Sequence, residues 1–157
     1  MATAFERLLD LIRALNDEAV SYVLFGGQAL NLHGIPRFTE DIDIFVDPSR
    51  ENVACRRRAL HRLWNDPSIE EIRAEDLAGE YAVVRYGTPD GFAVDLASRI
   101  GEAFAFDDVE RETLTVEGVP VRVATPRMLY QMKKDTVRAI DRADAADLKA
   151  KFRIVED

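Results

Sequence analysis

The sequence predicts an α/β fold: a mixed β-sheet with flanking helices packed mainly on one side, and a short C-terminal helical pair. Three observations carry that reading. Apolar–polar alternation of period two, the mark of a half-buried strand, recurs in short runs such as Glu40–Val46 and Val119–Val123. Between the runs lie segments with apolar residues at helical spacing, the first being Phe5, Leu8, Leu9, Ile12 and Leu15. The third is composition: 157 residues, 47% apolar and 32% charged, suit one globular domain with a sizeable core. No repeat, linker or low-complexity stretch divides the chain, so residues 1–157 read as a single domain. About 1–124 would form the α/β core and about 125–157 the C-terminal helices.

Taken in order, Thr3-Ala4-Phe5-Glu6 has the spacing of a capping box and opens a helix to about Asn16. Ala19 to Phe25 is the first strand. Gln28 to His33 makes a short helix that Gly34 ends and Pro36 forbids from continuing. Glu40 to Val46 is the second strand. Asp47-Pro48 reads as an N-cap followed by proline at the first helical position, opening a helix to about Trp64. Asn65-Asp66-Pro67 breaks it, and Ile69 to Ile72 is a short strand candidate. Tyr81 to Tyr86 and Phe92 to Leu96 flank Gly87-Thr88-Pro89-Asp90-Gly91, turn chemistry throughout, and so form a hairpin. Thr113 to Val116 and Val119 to Val123 form another around Glu117-Gly118. Thr125-Pro126 opens a helix with Leu129, Met132, Thr136 and Ile140 on one face. A final helix covers about Arg142 to Phe152.

A single cysteine, Cys55, excludes an internal disulfide and fits a reducing compartment. No apolar run nears the ~20 residues of a membrane span, and the N-terminus lacks the apolar core of a signal peptide. A cytoplasmic protein with no membrane partner is therefore expected. The net charge of −8 gives the surface as a whole no attraction for nucleic acid. An RNA substrate would need a local basic patch or a partner protein. Arg56, Arg57, Arg58 and Arg62 form a basic helix that reads as a solvated face. Two histidines argue against a zinc centre, and His33 reads as a helix-end residue.

The chemistry concentrates between Phe25 and Val46. Asp41 and Asp43 alternate with Ile42 and Ile44, so on a strand both carboxylates leave one face, their Cα atoms roughly 6.6 Å apart. Like charges that close raise each other's pKa unless a cation lies between them. Magnesium, which takes a few carboxylates together with phosphate oxygens, is the natural guest. A calcium loop of the EF-hand kind does not fit, because Phe45 stands at its fifth position and no glycine at its sixth. Gly26-Gly27 lies between a strand and a helix start, where backbone N–H groups can approach an anion. A phosphate cradle beside paired carboxylates is the layout of metal-assisted phosphoryl or nucleotidyl transfer. The plainer readings are an exposed acid–aliphatic strand face and a tight turn.

The text from Gly26 to Asp43, Gly-Gly-Gln-Ala-Leu-Asn-Leu-His-Gly-Ile-Pro-Arg-Phe-Thr-Glu-Asp-Ile-Asp, resembles the signature of the nucleotidyltransferase superfamily related to DNA polymerase beta. It is similar above all to the AbiEii-like toxin nucleotidyltransferases and their small uncharacterised relatives. Lincosamide and aminoglycoside nucleotidyltransferases share much of it. The resemblance implies a nucleotidyltransferase-like fold and a magnesium-dependent enzyme that moves an NMP from an NTP to an acceptor hydroxyl. It implies that Asp41, Asp43 and Asp95, the last on the Phe92–Leu96 strand, are catalytic acids holding two Mg2+ ions, with Mn2+ able to replace them. Gly26, Gly27 and Gln28 would cradle the triphosphate, although many relatives carry serine at the second glycine. Arg37 would contact phosphate or make a surface salt bridge. Thr39 would orient Asp41. Further on, Lys133, Arg138, Asp141 and Asp144 match the AbiEii-like pattern, with Ile140 in place of its second lysine. Lys133 would reach the triphosphate, with Arg138 also beside the nucleotide. A salt-bridged helix pair is the alternative reading of Asp141 and Asp144. Asp90 is more simply a turn residue.

The acceptor implied is RNA, tRNA or a protein hydroxyl, with a cognate toxin or antitoxin protein as partner. Two rivals stay open. An antibiotic nucleotidyltransferase would call for a pocket-forming domain that this short chain scarcely has. A non-catalytic nucleotidyltransferase fold, serving as a binding or antitoxin partner, is left room by Ile140 and the missing serine, and opposed by the three intact acids.

Overall fold

The computed structural model describes residues 2–79 and 81–156, with only the backbone of Tyr81. Among them the strands are β1 (Tyr22–Phe25), β2 (Ile42–Val46), β3 (Tyr81–Gly87), β4 (Ala93–Ile100), β5 (Phe104–Ala105), β6 (Arg111–Val116) and β7 (Val119–Ala124). The helices are α1 (Ala4–Asp17), α2 (Gly26–Leu32), α3 (Arg50–Leu63), α4 (Pro126–Lys133) and α5 (Ala139–Phe152). The strands form one mixed sheet in the order β3-β4-β2-β1-β7-β6, with β5 beside β4. β2 runs antiparallel to β1 and parallel to β4, while β3–β4 and β6–β7 are the two hairpins. The mixed α/β sheet and the C-terminal helical pair are thus as expected.

Alternation explains the layering. Leu24, Ile44 and Leu96 sit in one row across β1, β2 and β4, and all three are fully buried. Leu8, Leu11, Ile12 and Leu15 of α1 join the same core. Thr3 caps α1, its hydroxyl accepting the Glu6 N–H at 3.1 Å. The next row carries Phe25, Asp43, Asp95 and Arg85 on β1, β2, β4 and β3. The polar row is therefore fixed by the same register that builds the core, because a slip of one residue would exchange the two.

Several boundaries differ from expectation. β1 starts at Tyr22, not Ala19, because Ala19 takes a left-handed φ of 56° and turns the chain out of α1. α2 begins at Gly26 itself and ends at Leu32, with His33 as its cap, so the glycine pair forms its first turn. β2 begins at Ile42, leaving Asp41 just outside the ladder. α3 is capped by Ser49, which accepts from Asn52 N–H at 3.2 Å, while Asp47 accepts from Ser49 N–H at 2.9 Å. Asp47-Pro48 is thus the approach to the helix and not its start. Ile69–Ile72 is not a strand: a 3-10 turn spans Pro67–Glu71, capped by Asp66. α4 stops at Lys133, so Thr136 and Ile140 are not on it, and α5 begins earlier than Arg142, at Ala139. β5 had no counterpart in the sequence reading.

The basic helix is also corrected. Arg56 lies on the same stripe as Val53, Ala59 and Leu60, and is 1% exposed. It donates to Ile72 O at 3.2 Å, while its Nε and Nη1 have no hydrogen-bond partner among the described residues. Burial, then the charge of Arg57, brings its pKa down to about 10. Arg57 donates to the Glu70 and Ile72 carbonyls, Arg58 pairs with Glu18, and Arg62 with Asp17 and Glu18. These arginines are used within the chain, which leaves a poor basic patch for RNA.

Candidate active site

Asp43 and Asp95 are directly paired across the parallel β2–β4 ladder, so their side chains leave the sheet side by side. Asp41 arrives from the loop before β2, its Oδ1 accepting the Ala93 N–H at 3.0 Å. The three acids therefore meet at one end of two neighbouring strands. The turn between β1 and α2 closes on them from the other side. A Cβ on Gly26 would fall 2.1 Å from Asp43 Oδ2, and Gly26 has a left-handed φ of 70°. Both facts demand glycine there. A Cβ on Gly27 would stand 2.9 Å from Thr39 Cγ2, so Thr39 occupies the space that a larger second residue would need.

The Gly26 contact is testable. Gly26→Ala should cost about 3 kcal/mol, combining left-handed strain with overlap on the carboxylate. In an Asp43→Ala background the penalty should fall to about 1 kcal/mol, the strain alone. Equal penalties in the two backgrounds, measured by urea denaturation, would show that the close approach does not matter.

Electrostatics separates the acids. Burial, with the charges of Asp95 and Asp41, pushes Asp43 up to about 7, against the opposing charge of Lys133. Asp41 is held below the usual carboxylate range, first by the Ala93 N–H and then by Arg85. Arg85 was missed in the sequence. Its Nη2 lies 2.7 Å from Asp41 Oδ2 and its Nη1 3.2 Å from Asp95 Oδ2, so one guanidinium bridges two acids. Counting from the turn could have found it, since residues 85 and 95 stand five either side of Asp90.

The other candidate residues sort differently. Lys133 bonds Asp141 at 3.2 Å and Asp144 at 3.1 Å, and its charge is felt at Asp43. Arg37 Nη1 meets both oxygens of Asp144, at 2.7 and 2.6 Å. Of the two readings left open for Arg37, the ion pair is the one observed, and it is partly buried. Gln28 is buried and donates to Thr39 O at 3.3 Å, turned toward the loop that carries Asp41. The Thr39 hydroxyl donates to Asp41 O at 3.3 Å, and Thr136 Oγ1 joins Asp141 at 3.1 Å. Arg138 caps α5, largely exposed and 3.8 Å from Asp141. Ile140 is exposed in the first turn of α5. His33 meets the Ala124 carbonyl at 2.8 Å, and Asp90 accepts the Trp64 indole N–H at 2.8 Å.

Three carboxylates offer only hard oxygen donors and an excess of negative charge, which suits magnesium. Among the described residues, no three acidic, histidine or cysteine side chains stand close enough to hold an ion as they are. Magnesium gathers its oxygens at about 2.1 Å. The guanidinium instead spaces Asp41 and Asp95 across two nitrogens, 2.7 and 3.2 Å from their oxygens.

The fold is that of a nucleotidyltransferase domain. The family model of the nucleotidyl transferase AbiEii toxin, type IV toxin–antitoxin system, matches residues 7–150. The chain belongs to that family. Among solved structures, a Thermotoga maritima protein assigned as a nucleotidyltransferase is 17% identical, with a TM-score of 0.60 over 95% of this chain and 91% of that one. ANT(2'')-Ia, in complex with adenylyl-2''-tobramycin, is 14% identical, with a TM-score of 0.60 over 93% and 87%. An antigenic nucleotidyltransferase-like protein of Paracoccidioides brasiliensis is 17% identical, with a TM-score of 0.54 over 92% and 75%. These likenesses show the fold. No curated protein matches. No helix among the described residues is long and apolar enough to cross a membrane.

Proposed function

We propose that the protein is a magnesium-dependent nucleotidyltransferase that moves an NMP from an NTP to a hydroxyl of RNA or protein, in the cytoplasm and in a toxin–antitoxin setting. The supporting observation is the pairing of Asp43 with Asp95, with Asp41 alongside and the Gly26 backbone against Asp43. Asp41, Asp43 and Asp95 would hold Mg2+, or Mn2+ in its place, which supplies a lowered pKa for the acceptor hydroxyl and neutralises phosphate charge. The backbone of Gly26 and Gly27 takes the triphosphate, and Lys133 offsets charge on the departing pyrophosphate. Asp95 receives the acceptor proton. The acceptor oxygen bonds to the α-phosphorus as the bond to the β-phosphate oxygen breaks, giving a nucleotidylated acceptor and pyrophosphate. Arg37 and Gln28 position the loop that carries Asp41, and Arg138 reaches the nucleotide from the rim.

The acceptor decides the biology. Purified protein should be incubated with each α-labelled NTP, Mg2+ or Mn2+, and in turn bulk tRNA, the protein encoded beside it, and an aminoglycoside. The proposal expects label on RNA or protein, abolished by EDTA. Label on the aminoglycoside alone would make it a small-molecule enzyme. Label nowhere would favour a non-catalytic partner.

A further inference from the structure

Arg85 is assigned no role by the family motif, yet it makes the closest polar contact to the acids. Its place is set by register, opposite Asp95 on β3, so its side chain leaves the same face as the acid row. Its two terminal nitrogens bond Asp41 and Asp95, and among the described residues no cation is hydrogen-bonded to Asp43. The Arg85 side chain is 62% exposed, and every hydrogen bond described for it goes to these acids. It is held by the charge that a metal would neutralise.

We propose that Arg85 is an exchangeable counter-ion: it occupies the acid cluster while the centre is empty, and must leave before the acids can close on a divalent cation. The inference rests on the metal-dependent reading above. A guanidinium and a divalent cation on the same carboxylates repel each other, because the ion would sit about 2.1 Å from oxygens that the positive nitrogens now hold at 2.7 and 3.2 Å. A free cation must therefore displace Arg85 with nothing to offer it in exchange. A cation arriving with a nucleotide brings phosphate oxygens that the freed guanidinium can bind in bidentate fashion. Arg85 thus offsets part of the negative charge of the empty centre and makes cation loading depend on a phosphate-bearing substrate. It is a positioning residue for that step.

The test is Mn2+ affinity without nucleotide, read by the loss of the free-ion electron paramagnetic resonance signal, in wild type, Arg85→Met, Arg85→Lys and Asp43→Ala. Arg85→Met should bind Mn2+ about tenfold more tightly than wild type, and Arg85→Lys less tightly than Arg85→Met. A non-hydrolysable NTP analogue should narrow the gap between wild type and Arg85→Met. Asp43→Ala should lose the site. If Asp43→Ala loses binding while Arg85→Met binds no better than wild type, the exchange proposal is overturned and the metal centre stands. If Asp43→Ala binds as wild type does, the metal centre itself is wrong. Should Arg85→Met not fold, Arg85→Gln carries the same comparison.

Discussion

Asp43→Asn is expected to abolish nucleotide transfer and, at the same time, to give a more stable protein than wild type at pH 8 in EDTA. The two effects share a cause. Asp43 is wedged between the Gly26 turn and the Asp95 carboxylate, and burial with like charge pushes its pKa up to about 7. An acid titrating near 3.9 in the unfolded chain and near 7 in the folded one binds more protons folded than unfolded between those values. Its contribution to stability is therefore fully present below about pH 4 and is lost as pH rises toward 7. Above that, ionised Asp43 costs the cation-free fold an amount that asparagine does not, about 2 kcal/mol after discounting the full three-unit shift. Melting temperatures of the two proteins should converge at pH 4 to 5 and separate by pH 8. Transfer activity should fall at least about a hundredfold, as for removal of a group that stabilises transition-state charge. Parallel pH–stability curves would show that Asp43 carries no such strain.

The second large effect lies away from the acids. Asp144 is 4% exposed and is shared by Arg37, from the loop before β2, and Lys133, at the end of α4. Removing one partner of a buried ion cluster leaves charge uncompensated, which typically costs about 3–5 kcal/mol. Asp144→Ala takes the carboxylate partner from Arg37 and leaves Lys133 with Asp141 alone, so a loss within that range is expected. For a domain of this size that is a fall in melting temperature of about 10 °C or more. Asp144→Asn, which keeps acceptor capacity, should lose less. The same change should weaken nucleotide transfer, because Arg37 anchors the segment leading through Thr39 to Asp41. A loss below 1 kcal/mol would show that Arg37 and Lys133 find other partners and that the cluster does not fasten the C-terminal helices to the sheet.

Much of this arrangement was legible because period-two alternation is a strong signal. Ile42 and Ile44 had to face the core, so Asp41 and Asp43 had to face away, and Val94 with Leu96 placed Asp95 likewise. Elsewhere competing physics decided. The helical spacing from Thr125 to Ile140 is continuous, yet α4 stops at Lys133. The Thr136 hydroxyl there lies within hydrogen-bond reach of both the Lys133 carbonyl and the Asp141 carboxylate, its one proton shared between them, in a turn that fixes the ion cluster. Four arginines in α3 looked solvated because charge outweighed position. Arg56 falls on the buried stripe of Asn52, Val53, Ala59 and Leu60, a spacing already present in the sequence. Arg85 required the hairpin's register, not merely its existence. Ion pairing between distant segments, such as Arg37 with Asp144, left no local trace.

Asp41, Asp43 and Asp95 are proposed to serve nucleotidyl transfer at the α-phosphorus. The most direct test follows one NTP labelled at the α-phosphate and, separately, at the γ-phosphate, in the presence of Mg2+ and the acceptor. The account predicts α-label in the acceptor with one pyrophosphate released per transfer, no γ-label transferred, and neither product from Asp43→Asn. Transfer of the γ-label, or undiminished α-label incorporation by Asp43→Asn, would contradict it.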